Sequence, residues 1–358
     1  ALASRTGGGL RTFTLAFGEE GFSEAEVARR TAEHFGTDHT EVLVTPEEIL
    51  RHLPQALSAM DQPTMDGINT SLVSWAAREA GLKVALSGIG GDELFAGYST
   101  FTTVPRMARL RALLGPMGLP LSRLTNFFPA AGPETRRKAR ALLRGDIPFG
   151  HAYFLARSLF LPRAALSLLS PEAQAALPDD SPWRARVRET LDLARRLDPV
   201  NAVSFLECNH YLVSTLLRDT DQMSMAHSVE VRVPFLDHPM VEHILGLPGH
   251  QKAGRPWDLK KPLLVTALNG LLPSELARLL KRTFTLPWEI WLRGPLKKEV
   301  EEVLNDPPAA LRDLVSPEAI RAIWQAFLHG RTTWSRPWTL YVLFRWTRQL
   351  AMPARSSL

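Results

Sequence analysis

The sequence predicts an α/β fold, a parallel sheet with flanking helices, followed by a mostly helical second half. Three observations lead there. Short β-branched or aromatic runs alternate with helical stretches over the first hundred residues. Strand signals fade after about Val104. The 358 residues are 45% apolar and 22% charged, enough to bury a sizeable core without staples. The single Cys208 excludes an internal disulfide or a cysteine zinc cluster. No apolar run approaches the about 18–20 residues of a membrane span, and Ala1–Leu10 lacks the apolar core of a signal peptide. A cytoplasmic protein with no membrane partner is expected.

Leu10–Phe17 (LRTFTLAF), bounded by glycines, reads as a buried strand. Ser23–Glu26 form a capping box that opens a helix ending at Gly36, its left-handed C′ residue. Asp38–Val44 is a second strand. Thr45, Pro46, Glu47 and Glu48 form another capping box, with proline at the first helical position, starting a helix to about Met60. Asn69 or Thr70 caps a third helix ending at Gly81, and Leu82–Leu86 is a third strand. Strands joined by helices of this length imply right-handed crossovers and parallel pairing. Beyond Val104, helical periodicity marks Arg106–Leu114, Glu134–Leu143, Ala164–Leu177, Ser181–Leu197 and Val200–Leu217. Pro317–His329 and a Ser335-capped helix to about Leu350 complete the tail.

Charge is distributed unevenly. Val104–Arg163 holds eleven basic residues and two acidic ones, a local +9 against +5 for the whole chain. Few aromatics interleave with these arginines, so the segment reads as a solvated helical face, and nucleic acid is not expected as a partner. Lysine is scarce, and six of the eight lie between Lys252 and Lys298.

In an open parallel sheet, ligands bind beyond the carboxyl ends of the strands. There the third strand runs into Ser87-Gly88-Ile89-Gly90-Gly91-Asp92-Glu93. Its glycines let backbone approach a ligand, and a carboxylate at Asp92 suits magnesium bridging phosphates. A plain strand-to-helix turn with Asp92 as its cap fits the spacing equally well. The segment is neither a P-loop, since no Lys follows the glycines, nor a dinucleotide fingerprint, since Glu93 takes the last glycine position.

SGIGGDELFAGY (87–98) resembles the SG-x-GGDELFGGY segment of the synthetase domain of glutamine-dependent asparagine synthetases. Asp219–Asp237 is similar to the same family's D-x-MSMAHS-x-EVR-x-PFLD block, and Lys261–Leu264 to its K-x-LL helix start. The resemblance implies an adenine nucleotide α-hydrolase-like fold and an ATP pyrophosphatase chemistry. In that chemistry a carboxylate of aspartate attacks the α-phosphate of ATP, and ammonia then displaces AMP from the acyl-adenylate. It implies ATP and Mg²⁺ as cofactors, with small-molecule substrates (ATP, and aspartate or another carboxylate) as partners. Asp92 stands at the metal-ligand position, Ser87 and Gly88 at nucleotide-contacting positions, and Leu15 at the strand end touching adenine. Lys261 stands where a lysine steadies the α-phosphate and pyrophosphate, with Lys281 and Arg282 assisting. A homodimer is left open.

Three departures shape the expectations. The family's SGG-x-DSS phosphate loop and its glutaminase domain, with a nucleophilic first cysteine, occur nowhere in the sequence. Residues 1–104 are therefore expected to be an α/β nucleotide-binding part missing its first strand and phosphate loop. Residues 105–358 are expected to be a mainly helical part completing the synthetase site through 219–297. Ile89 stands where the family has an acid that takes a proton from ammonia, and isoleucine cannot be a general base. Glu230 is the first replacement candidate; a structural partner of Arg232 or Arg218 is its other reading. Thr283 stands where the family has glycine. A ligase adenylating a different carboxylate and a non-catalytic scaffold are the alternatives. The chain alone is expected to show little or no aspartate-dependent ATP–pyrophosphate exchange; measurable exchange by the 358-residue chain would contradict this.

Overall fold

The computed structural model of the chain describes residues 1–5, 9–19, 25–114, 132–178, 182–253, 261–268, 270–272 and 286–350. The Ser23 end of the first capping box lies outside them. The described residues are mostly helical, with two short parallel ladders. β1 (Arg11–Ala16) pairs with β2 (Asp38–Leu43), Arg11 opposite Asp38 and Ala16 opposite Leu43. β3 (Val84–Leu86) pairs with β4 (Glu230–Arg232), Val84 opposite Glu230 and Leu86 opposite Arg232. The fold expectation holds as a small parallel-stranded α/β part with a helical remainder. β4 escaped the sequence reading because three residues are too few to show a period of two.

The chain divides into two compact units, 1–61 with 66–98 and 210–291, and 62–65 with 99–209 and 292–358. In the first unit the expected helix ends are present. Gly36 is left-handed at φ +61, and the Thr37 N–H returns to the Ala32 carbonyl at 3.0 Å. The Pro46–Ala59 helix has both halves of its box, Glu48 N–H to Thr45 Oγ1 and Thr45 N–H to Glu48 Oε2. The next helix, Gly67–Glu79, starts ahead of the expected Asn69 or Thr70 cap. Asp66 precedes it, and its carbonyl takes the Asn69 N–H at 3.0 Å, which draws Asn69 into the first turn. This helix packs on Arg218–Met225, and Ile49, Leu53, Leu57, Ile68, Leu72 and Met223 form buried apolar layers, each such side chain contributing about 1.5–3 kcal/mol.

In the second unit, Pro133–Arg144, Pro182–Ala194, Pro317–Leu328 and Ser335–Leu350 match the expected helices. The expected Ala164–Leu177 helix is instead two short ones, Pro162–Leu166 and Pro171–Ala175. Pro171 cannot continue a helix, and Ser170 caps the second by accepting the Ala173 N–H. The expected Val200–Leu217 helix is α-helical to Leu206 and a π-helix from Glu207 to Leu217. Glu207 is fully buried and accepts Thr100 Oγ1 at 2.6 Å, Tyr153 OH at 3.1 Å and Arg157 Nη2 at 2.6 Å. Burial and the Glu207 charge push the Tyr153 hydroxyl well above its ordinary value. Among the tail tryptophans, Trp324 and Trp338 are core residues.

Two outcomes follow for stability. Glu207→Ala leaves the half-buried Arg157 without its counter-ion and is expected to cost about 3–5 kcal/mol, read as a lowered urea midpoint. In the first unit, His227 hydrogen-bonds Ser71 Oγ at 3.0 Å, and His52 lies against the Trp75 ring at 4.2 Å. Burial, then the charge of Arg51, lowers the His52 pKa; burial, then His52, lowers that of His227. The folded rings stay neutral where the unfolded chain takes up protons. Their contribution is therefore complete above about pH 6.5 and falls away as pH drops below it. Urea midpoints at pH 7.5 and 5.5 should differ accordingly, and His52→Gln should narrow the difference.

Candidate functional site

The site candidate in the first unit is the turn leaving β3. The Ser87 N–H extends the β3–β4 ladder by donating to the Arg232 carbonyl at 2.9 Å. Beyond it Gly91 N–H closes on the Gly88 carbonyl at 3.1 Å, and Gly90 adopts φ +92, a conformation that glycine alone takes without strain. A side chain there would also meet Leu236, whose Cγ would lie 2.6 Å from its Cβ. Gly91–Leu94 then form one helical turn.

Asp92 projects from that turn, and Lys261 meets it, Nζ to Oδ1 at 3.2 Å. Lys261 precedes the Pro262–Ala267 helix in a left-handed conformation (φ 53, ψ 53), a strain of about 1–3 kcal/mol for a non-glycine residue. Pro262 disfavours the α region for Lys261. Both side chains are roughly three-quarters buried, at 22% and 27% exposure. Gly97 completes the enclosure: a Cβ there would fall on Asp92 Oδ1 and lie 2.6 Å from Lys261 Cε.

Behind Asp92 sits a second carboxylate that the sequence reading did not single out. Glu93 is 1% exposed and accepts the Tyr98 hydroxyl at 2.7 Å. The Tyr98 ring packs edge-on to Tyr211 at 6.0 Å, and Tyr211 OH donates to Asp66 at 3.3 Å. Burial, then the Glu93 charge, drives the Tyr98 hydroxyl far above its ordinary pKa, so it remains a donor. The i, i+5 spacing of Glu93 and Tyr98 carries no periodic signal, and only burial reveals the pair.

The sequence candidates divide into three groups. Ser87, Gly88, Asp92 and Lys261 surround the turn; Ser87 Oγ accepts the Ile89 N–H at 3.4 Å, and Gly88 is exposed. Leu15 is 4% exposed on β1, opposite Val42. Glu230 lies at the start of β4, two residues back from the turn's end of the ladder, and holds Arg232 Nε at 2.8 Å on an exposed face. Among the described residues, no hydrogen bond or ion pair joins it to Asp92 or Lys261. Lys281, Arg282 and Thr283 lie outside the described residues, as does Lys260. Of the clustered lysines, Lys252 is fully buried, Lys298 pairs with Glu302 at 3.9 Å, and Lys261 meets Asp92 at the turn. No cluster of three or more His, Cys, Asp or Glu suited to a metal occurs among the described residues, and no described helix is long and apolar enough to cross a membrane.

The arrangement provides a carboxylate, a cation and close backbone around one turn, a set suited to phosphate and magnesium. The chain is similar in sequence to known proteins. The chain is 28% identical to asparagine synthetase [glutamine-hydrolyzing] 1 of Bacillus subtilis over 299 residues, 83% of this chain and 45% of that protein. It is 29% identical to a putative asparagine synthetase [glutamine-hydrolyzing] of Mycobacterium tuberculosis over 353 residues, 97% of this chain and 52% of that protein. It is 26% identical to amidase chyE of Penicillium rubens over 329 residues, 83% of this chain and 46% of that protein. The chain spans about half the length of these curated relatives. The asparagine synthase family model matches residues 1–348, so the chain belongs to the asparagine synthase family.

Proposed function

We propose that the chain supplies the ATP-using, amide-forming site of an asparagine synthetase-like ligase in the cytoplasm. A substrate carboxylate, with the aspartate side chain the leading candidate, attacks the α-phosphate of ATP and pyrophosphate leaves. Ammonia, released from glutamine by a glutaminase domain, then displaces AMP from the acyl-adenylate to give the amide. The observation that carries this reading is the Asp92–Lys261 pair at 3.2 Å on a glycine turn at the end of β3.

Asp92 would hold the magnesium ion of Mg·ATP. A single carboxylate suits magnesium, which keeps waters and takes phosphate oxygens for its other ligands. Bound there, the ion would offset phosphate charge. Lys261, released from Asp92, places a cation against the departing pyrophosphate, where charge builds up. Ser87 and Gly88 as nucleotide contacts, Leu15 beside the adenine, and Lys281 and Arg282 as further cations belong to the same proposal. Glu230 would serve as base only after leaving Arg232.

A second reading, adenylation of a different carboxylate, is supported by Ile89, which offers no titratable group on the turn. In an active protein containing this chain, Asp92→Asn and Lys261→Ala are each expected to lower carboxylate-dependent ATP–pyrophosphate exchange by about 10²–10³-fold. Undiminished exchange in Asp92→Asn would overturn the proposal. Exchange driven by another carboxylate but not by aspartate selects the second reading. Gly97→Ala should depress exchange as well, because its methyl displaces the pair.

A further inference from the structure

The second unit contains an arginine-lined cavity of its own. Along the Pro133–Arg144 helix, Arg136, Arg140 and Arg144 recur every fourth residue and share one face. With Arg137 they line a cavity of about 290 Å³, whose wall also includes Asp146 and Leu161. Among the described lining residues, four guanidinium groups face one carboxylate. The other carboxylate of the Val104–Arg163 segment, Glu134, is already held by Arg137, by Lys138 at 3.5 Å and by Arg336 at 2.7 Å. Arg137 is therefore already engaged by a carboxylate.

Like charges four residues apart on a helix repel. Arg136 and Arg140 are moreover half-buried, where solvent screens them less than on an open surface. The helix ends in a left-handed cap: Gly145 is at φ +76, and the Asp146 N–H returns to the Ala141 carbonyl at 2.9 Å. A concave, half-buried stripe of this kind differs from a solvated basic face.

Guanidinium forks match the oxygens of a phosphate group. None of the described lining residues is aromatic, so the described wall offers no platform for stacking a base. We propose that this cavity binds a phosphate-bearing small molecule, with Arg136 and Arg140 as its principal cations.

The test is calorimetric titration of the chain with inorganic pyrophosphate in the absence of magnesium. Saturable binding is expected, weakened at least about tenfold in Arg136→Ala/Arg140→Ala and unchanged in Arg321→Ala, which removes an exposed arginine of the same unit. Circular dichroism checks the helix, and Arg140→Gln alone serves if the double variant loses it. Equal binding by the arginine variants, or no saturable binding by the parent chain, would sink the proposal. Tighter binding of single-stranded RNA, steeply salt-dependent and lost in the arginine variants, would overturn it in favour of a nucleic-acid surface.

Discussion

The parallel pairing of β3 with β4 is the constraint on which the candidate site depends. It joins Leu82–Leu86 to the Val229–Arg232 stretch, far apart in sequence, through a ladder only three residues long. Two further bonds lengthen it, Glu230 N–H to the Lys83 carbonyl at 2.8 Å and Ser87 N–H to the Arg232 carbonyl at 2.9 Å. The second bond makes the first residue of the glycine turn a continuation of the sheet. A slip of one residue would move the turn by about 3.3 Å and reverse every side chain. That displacement is as long as the Asp92–Lys261 contact itself.

Register alone would not hold so short a ladder, since isolated two-stranded sheets are marginal in water. Side chains beyond β4 lock it. Phe235 packs edge-on to Phe95 at 5.8 Å, and Leu236 occupies the space that a side chain at Gly90 would need. The outward residues of β3, Val84 and Leu86, remain 42% and 64% exposed, so the stabilising contacts come from one side. Glycine at position 90 thus does two separate things, allowing the backbone conformation and admitting Leu236.

Much of this was legible in the residues, for local reasons. Thr45 with Glu48, and Gly36, are chemical signals read without tertiary context, and both helix ends follow them. Asp92 and Lys261 came from motif resemblance, and the structure brings them together. Local signals failed where distant contacts decide. β4 is a strand because β3 lies beside it. The helix expected through Leu217 changes pitch at Glu207, whose carboxylate is drawn to Thr100, Tyr153 and Arg157, residues 50 or more positions away. Glu230 looked available in sequence, yet the alternation of β4 sends it to the exposed face with Arg232.

The Asp92–Lys261 pair also determines how the turn looks from a distance. Each group is the counter-ion of the other, so at rest the pair presents a small dipole rather than a net charge. A dipole's field dies away faster than that of a bare cation, and salt shortens its reach further. This pair therefore does little to steer a polyanion through solution. On the proposed reading, its contribution begins on arrival, as a swap of partners in which oxygen ligands would displace the lysine and phosphate the carboxylate. Discrimination at the turn, on the same reading, would be exercised over bond-length distances, between ligands already in place.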